Sequence, residues 1–366
     1  MKKFLITFLV LFFTSVTVFA DDKSDVLPSQ IGKILSVDYV DVECGDPVQT
    51  KQVVEVEILS GGLKGEKVLV DNYFTGNPAY DISLKKGSKV VLHVENSDGG
   101  VVFSIADVKR SGVLAWLSAL FCGLLVYVGR KKGLHSLVSI VLTCGLIYYL
   151  LTPMILFGIS PVLATLLLCV LSTVITMYLV GGVNRKSSSA VLGTILSVLF
   201  ATFLSYLTVK VAYLNGVVGE NSMFLFSAHP ELNFVGILIS IMILATLGAV
   251  MDVAMSIAST INEIYTIDST KSAKELFTSG MNVGKDIIGT MANTLILVYL
   301  GSSLPLLLLA SNIDFQKFIN LNQVVTEISA ALIGSCSIVI CVPLTAIVAA
   351  YLVKNTGIKQ SFAELE

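Results

Sequence analysis

Charged residues are scarce in this sequence, as are the residues that usually build metal sites and disulfide frameworks. Charged residues make up 14% of the 366 positions, against roughly 25% in an average soluble domain. A formal net charge of −2 with 54% hydrophobic residues excludes a disordered chain, and the lack of a basic excess argues against a nucleic-acid binder. Six cysteines in 366 residues do not make a disulfide scaffold. This composition is that of an integral membrane protein.

The few charges are distributed unevenly. Residues 21–110 contain 15 acidic and 10 basic residues, whereas the 256 residues from Ser111 onward contain 23 charges. A charge-rich segment of domain size is therefore followed by a charge-poor one. The sequence predicts a polar domain over 21–110, a transmembrane helical domain over 111–356 and a short tail over 357–366.

The N-terminus has the composition of a secretory signal. Lys2 and Lys3 precede an apolar run from Phe4 to Val18, and small residues follow at Val18 and Ala20. This pattern predicts a signal peptide over residues 1–20, cleaved after Ala20. An uncleaved signal anchor is the alternative. Both keep the two lysines inside and place the polar domain outside.

Residues 21–110 alternate apolar and polar side chains with a period of two, as in Val54, Val56 and Ile58 between Glu55 and Glu57. About five short strands, separated by turns rich in Gly, Asp and Asn, predict a small all-β domain of OB-like or SH3-like type. It shows no pattern of stacking aromatics and is net acidic, so docking of an extracytoplasmic protein partner is a better expectation than nucleic-acid binding. Cys44, its one cysteine, has no partner within the domain.

About seven stretches are long and apolar enough to span a bilayer as helices. They are Gly112–Val128, Leu134–Leu151, Ser160–Val180, Ala190–Val211, Leu232–Met255, Ile287–Ala310 and Ile328–Val353. The fold class is therefore an α-helical polytopic membrane bundle that follows a small β domain. Small residues every four positions along the fourth stretch, from Ser189 to Ser205, predict a packing seam.

Basic residues predict the orientation of the bundle. With the β domain outside, the inside loops and the tail carry ten lysines and arginines, and the outside loops beyond the first span carry only Lys210 and Lys317. This agrees with the positive-inside rule. We expect a membrane protein with its C-terminus in the cytoplasm.

Two polar helix faces stand out in the apolar part. Asp252, Ser256, Ser259 and Glu263 are spaced for one face of the fifth span. Asp286, Thr290, Asn293 and Thr294 are spaced for one face of the sixth. Glycines beside these residues would allow close backbone approach: Gly248, Gly280, Gly284 and Gly289.

Both faces begin at the same side of the membrane, so we expect them to meet in one polar site near the cytoplasmic face. An acid in a membrane span usually faces the protein interior or a watery cavity. The alternative is that Asp252 and Asp286 are interfacial residues that cap helix ends or meet solvent. Between the faces, Ser272 and Glu275 are spaced as a capping box that starts a helix.

Motifs of known enzymes are lacking. The segment Gly280–Lys285 is one residue short of a phosphate-binding loop, and Asp286 replaces its Ser or Thr. Three separated histidines, without HExxH or paired cysteines, give little support for a metal hydrolase. We therefore expect no cofactor and no metal, and an enzyme is the weakest reading.

The stretches GAVMDVAMSIASTINE and TSGMNVGKDIIGTMANTLILVYLG, together with LKGEKVLVDN in the β domain, resemble the YibE/F-like family of bacterial multi-pass membrane proteins. The resemblance covers most of the chain and implies this architecture, bacterial origin and membrane location, but no substrate. It directs attention to the residues in the matching motifs, which are Asp252, Asn262, Glu263, Asp286, Asn293 and Thr294.

Two functions fit these patterns. The first is a permease or exporter whose bundle holds a polar site for an ion or small molecule. The second is a membrane-anchored scaffold or sensor that presents the β domain to a partner.

Overall fold

The structure of the protein, a computed structural model, describes residues 26–42, 49–77, 81–97 and 100–363. The chain forms two compact units that divide between Leu125 and Val126. The predicted signal, Cys44 and residues 364–366 of the predicted tail lie outside the described residues.

The first unit contains one antiparallel sheet and the start of the helix that follows it. Its strands are β1 (Val26–Val42), β2 (Gln49–Ile58), β3 (Lys67–Tyr73), β4 (Lys89–Ser97) and β5 (Gly100–Val108), in the order β3-β2-β1-β4-β5. The long β1 pairs with both β2 and β4, with a register shift in each ladder. Alternate apolar side chains from these strands form the core, among them Ile34, Val54, Val56, Val90 and Leu92.

This sheet curls into a half-barrel, because its two edge strands β3 and β5 contact each other. In the described part of the chain no ladder joins them. The small all-β domain is confirmed, and the OB-like or SH3-like assignment is not. The buried Gln52 fixes the segment before β4: its Oε1 accepts hydrogen bonds from Asn72 Nδ2 at 3.0 Å and from Leu84 N at 3.2 Å.

Helices follow from Ser111. They are α1 (Ser111–Leu146), α2 (Thr152–Leu156), α3 (Pro161–Gly181), α4 (Arg185–Val211), α5 (Gly219–Ala228), α6 (Phe234–Ile267), α7 (Ala273–Ser302), α8 (Leu304–Leu309), α9 (Phe315–Ile319) and α10 (Asn322–Ala363). A π-helical turn, Ile147–Leu151, joins α1 to α2. The capping box predicted at Ser272 and Glu275 is present at the start of α7.

Six helical segments of the described chain are long and apolar enough to cross a membrane. The predicted count of seven is not confirmed, because the first two predicted spans lie in one 46-residue segment, Ser111–Leu156. At 1.5 Å per residue this segment is about 69 Å long, more than twice the roughly 30 Å of a hydrocarbon core. Its backbone leaves the helical conformation at Arg130, where φ is 47° and ψ is −124°. The two predicted spans lie on either side of this break.

Helices α3, α4, α6 and α10 form the core of the second unit, called the core helices below. The predicted seam on α4 is buried along its whole length, at Ser189, Gly193, Ser197, Ala201 and Ser205. A Cβ atom at Gly193 would overlap the side chain of Thr345 on α10. Small residues therefore bring α4 and α10 together, as the sequence predicts.

Candidate functional site

Asp252 lies on the side of α6 opposite to the one that packs against α7. The opposite side of α6 is buried, with Ile257 and Ile261 fully enclosed. The side chains of Asp252 and Ser256 are exposed, while Val253 and Ala254, which lie between them in the sequence, are buried. The four-residue spacing of the two polar side chains thus produces the single polar face that the sequence predicts.

The Asp252 side chain lines a cavity of about 220 Å³. The cavity lies between α6, α3 and the part of α1 that follows Arg130. Its walls combine hydroxyl groups with apolar side chains, and the lining residues are Ser136, Ser139, Ile140, Thr176, Met177, Val180, Met251, Asp252 and Met255.

The hydroxyl groups in the wall are held in place by contacts between helices. Ser139 Oγ on α1 donates a hydrogen bond to Thr176 Oγ1 on α3 at 2.7 Å. One turn further along, Thr143 Oγ1 and Ser172 Oγ lie 3.1 Å apart. Ser136 Oγ donates to the Lys132 carbonyl oxygen at 3.1 Å. The cavity therefore has a wall of fixed oxygen atoms opposite a carboxylate.

Asp252 itself makes no hydrogen bond and no ion pair with the described residues. A carboxylate surrounded by a membrane protein is costly unless water, a proton or a cation accompanies it. No group of three or more His, Cys, Asp or Glu side chains suited to a metal ion occurs in the described part of the chain. The oxygen atoms near Asp252 are thus one carboxylate and several hydroxyl groups.

The cavity lies close to the end of the bundle that carries the basic residues. A Cβ atom at Gly181, the last residue of α3, would lie 3.0 Å from Met255 Cε. Met255 is one helical turn beyond Asp252, and Arg185 begins α4 just after Gly181. At the same end, Lys354 Nζ donates to the Lys271 carbonyl oxygen at 3.2 Å. Along α6, Arg185 lies level with Asn262, which is 10 residues or about 15 Å beyond Asp252.

The second polar face does not join this cavity. Asp286, Thr290, Asn293 and Thr294 are exposed on α7, while Gly280 and Gly284 on the other side of α7 pack against Ile261 and Val342. Helix α6 meets α7 through Ile257 and Ile261, on the side opposite Asp252. The two polar faces point away from each other, so the prediction that they meet in one site is wrong. A helix buries one side only, and here both helices bury their apolar side against each other.

Three other residues predicted to share a site with Asp252 lie outside its cavity. Glu263 is exposed and lies 11 residues beyond Asp252, about 16 Å along the helix. Asn262 lines a separate open cavity beside Asn184 and Arg185, and Ser259 is half-buried. Of the predicted site residues, the Asp252 cavity includes Asp252 alone.

The four glycines named from the sequence differ in the space around them. A Cβ atom would overlap Ile261 at 2.6 Å if placed on Gly280, and would overlap Val342 if placed on Gly284. At Gly248 and Gly289 a Cβ atom would meet no described atom within 4 Å. The prediction of close backbone approach is therefore wrong at these two positions, where the glycines lie on exposed helix surface.

Sequence reasoning missed two groups of residues. Ser136, Ser139 and Thr176 belong to other helices, and nothing in their own sequence links them to Asp252. Glu327 immediately precedes the predicted span Ile328–Val353. Helix α10 begins earlier, at Asn322, so Glu327 lies within the candidate span Asn322–Lys354. Because a helix commonly begins about a turn before its apolar run, the residues just before a predicted span should have been included among the candidates.

Family models match both parts of the chain. The model described as YibE/F-like protein matches residues 117–355. The chain belongs to the YibE/F-like family. A second model, described as YibE/F family N-terminal domain, matches residues 28–108 and thus covers the β sheet. Comparisons with curated proteins and with solved structures find no match. Family membership and the six apolar segments make this YibE/F-like chain a membrane protein.

Proposed function

We propose that the protein is a permease or exporter in which the Asp252 cavity binds a proton or a small cation during transport. The observation that carries this proposal is the Asp252 carboxylate, which has no partner among the described residues and lines a cavity of about 220 Å³ together with three hydroxyl groups and apolar side chains. Carboxylate and hydroxyl oxygens suit hard cations. Because one water molecule takes up about 30 Å³ in liquid water, the cavity has room for a hydrated ion.

The position of Asp252 supports a role at an entrance. A cation that approaches from the basic end, at the level of Arg185 and Asn262, reaches the carboxylate after about 15 Å along α6. We propose that this end faces the cytoplasm of a bacterium, because ten basic residues lie in the predicted inside loops and tail and two in the outside loops. The β domain is then outside, after a signal over residues 1–20.

Uptake into proteoliposomes tests this function. The full chain is reconstituted and uptake of H⁺, Li⁺, Na⁺, K⁺ and a panel of small metabolites is measured for the wild type and for Asp252→Asn. We expect the substitution to reduce uptake of the transported species by at least about tenfold, since it removes the only charge lining the cavity. The matched control is Asp268→Asn, which removes a charge after the end of α6 and keeps an oxygen for the hydrogen bonds from Thr270. Wild-type uptake by Asp252→Asn, at equal protein level, would contradict the proposal.

A second candidate function rests on the surface of the β domain. On the edge strand β3, Leu69 is 74% exposed and Tyr73 is 56% exposed, and β3 is paired with β2 alone. An edge strand with exposed apolar side chains can receive a strand of another protein. A photo-reactive residue at position 69, with position 67 as control, tests this scaffold or sensor role in cells. A discrete protein adduct from position 69 that is lost with Tyr73→Asp would support it, and its absence would count against it.

A further inference from the structure

Glu327 and Tyr299 line a second cavity, of about 180 Å³, near the opposite end of the bundle. Helices α7 and α10 form its walls, and α8 and α9 contribute Leu306, Leu307 and Phe318. The lining residues of this cavity and of the Asp252 cavity have no member in common, so the two cavities are separate.

Polar groups in this cavity are few and have no partners. Glu327 is half-buried and makes no hydrogen bond or ion pair with the described residues. The Tyr299 hydroxyl is buried and has no hydrogen-bond partner in the described part of the chain. A buried hydroxyl without a partner destabilises the folded protein, so a ligand that supplies the missing hydrogen bond is favoured. Apart from these two groups and Ser303, the lining is apolar.

We propose that this cavity is a binding site for a small lipophilic amine, that is, a protonated amine attached to an apolar body about the size of a benzene ring. An apolar cavity of about 150 Å³ in another protein is large enough for benzene, and this cavity has about 180 Å³. The ammonium group pairs with the Glu327 carboxylate and donates a hydrogen bond to the Tyr299 oxygen. The apolar body contacts the leucine, isoleucine and phenylalanine side chains.

Charge and shape favour a free amine over the ammonium headgroup of a phospholipid. A phosphate follows the ammonium in phosphatidylethanolamine, and no lysine, arginine or histidine lines the cavity to balance it. The phosphate would instead lie near the Glu327 carboxylate, where like charges repel each other. The same lining is too apolar for a hydrated metal ion, because few oxygen atoms are present to replace its water. This site does not depend on the transport function proposed for Asp252.

Ligand-dependent thermal stability of the full chain in a maltoside detergent tests the proposal. The probes are phenethylamine and its neutral analogue 2-phenylethanol, titrated at pH 7 with and without phosphatidylethanolamine. A ligand that binds only the folded protein raises the melting temperature in proportion to its occupancy. We expect phenethylamine to stabilise the wild type at a concentration at least about tenfold lower than 2-phenylethanol requires. A tenfold difference in affinity corresponds to about 1.4 kcal/mol, which we assign to the ion pair with Glu327.

Variants complete the test. Glu327→Gln should remove this tenfold preference for the amine, and Tyr299→Phe should weaken amine binding about threefold, as expected for loss of one hydrogen bond. Asp314→Asn is the control, since it removes a carboxylate just before α9 and keeps an oxygen for the cap. Equal stabilisation by amine and alcohol in the wild type would overturn the proposal even if Glu327→Gln fails to fold. Displacement of the amine by phosphatidylethanolamine would also overturn it, because the site would then bind a lipid headgroup.

Discussion

The core helices and the helices that flank them differ in how much of their surface is buried. They do not differ in their hydroxyl groups, because hydroxyls in both donate to the carbonyl four residues earlier, as Ser197 does to Gly193 in the core and Thr278 does to Lys274 on α7. Two carboxylates on the core helices that have no partner among the described residues, Asp252 and Glu327, line cavities where α1 or α7 meets the core. We therefore expect ligands to bind at these two boundaries.

The buried fraction is much higher in the core helices α6 and α10 than in the flanking helix α7. The most apolar 18-residue windows of α6 and α10 are 56% and 50% buried, whereas that of α7 is 6% buried. In the part of α1 after Arg130, the buried residues are Gly133, Ser139 and Gly145, all of them small. The flanking helices therefore keep a large exposed surface, and cavities lie beside them. The following predictions test whether the core determines stability and the boundary determines binding.

The largest effect is expected where two core helices are closest. Gly193→Leu places a side chain against Thr345, where even a Cβ atom would lie 3.1 Å from the Thr345 Cα. Because backbone cannot move away without separating α4 from α10, we expect recovery of folded protein to fall by at least about tenfold. Size-exclusion chromatography of the detergent-solubilised protein measures this recovery.

Its matched control is Gly248→Leu on α6, where a Cβ atom would meet no described atom within 4 Å. Recovery of this variant should equal that of the wild type. Equal losses at both glycines would show that the seam is no more tightly packed than the exposed surface.

A smaller effect is expected from a cavity in the core. Ile243 is fully buried and Ile241, on the same helix, is 54% exposed. Ile243→Ala should lower the free energy of unfolding by about 2–5 kcal/mol, because the cavity that it creates is enclosed by neighbouring helices. Ile241→Ala should change it by less than about 1 kcal/mol. Denaturant titration of the two purified variants compares them directly, and a similar loss for both would contradict the distinction between core and surface.

The smallest effect is expected for a hydroxyl at the boundary. Ser139→Ala removes the hydrogen bond to Thr176, and Ser172→Ala removes the comparable contact with Thr143 outside the cavity. Each bond is worth about 0.6 kcal/mol within a membrane, so stability should change little in either variant. Cation uptake should fall roughly threefold in Ser139→Ala, because loss of one oxygen contact of this strength corresponds to about that factor. Uptake by Ser172→Ala should stay at the wild-type rate. Equal uptake by both variants would mean that the cavity wall takes no part in transport.

Features that repeat along one element were predictable from the sequence. Alternation identified the strands of the β domain, four-residue spacing identified the seam from Ser189 to Ser205, and the Ser272–Glu275 spacing identified the start of α7. Each of these patterns is local, because the physical cause lies within one helix or strand.

Features that depend on contacts between distant segments were not predictable in this way. The four-residue spacing correctly predicts that Asp252 and Ser256 lie on one exposed side of α6. The residues that share the cavity with Asp252, Ser139 and Thr176, come from helices that are remote in sequence. Nothing local indicates that α6 turns Asp252 away from α7, since this follows from the packing of Ile257 and Ile261 on Gly284 and Gly280. The break at Arg130 likewise needed the structure to show two predicted spans within one segment.

The account depends most on the claim that the Asp252 carboxylate binds a cation in its cavity, and labelling with a hydrophobic carbodiimide tests this most directly. The reagent forms an adduct with carboxyl groups, which peptide mass spectrometry locates in the full chain reconstituted in lipid. We predict an adduct at Asp252 whose yield falls several-fold when the transported cation is present at saturation, while the yield at the exposed Glu263 stays constant. An Asp252 yield that is the same with and without every cation tested would contradict the account.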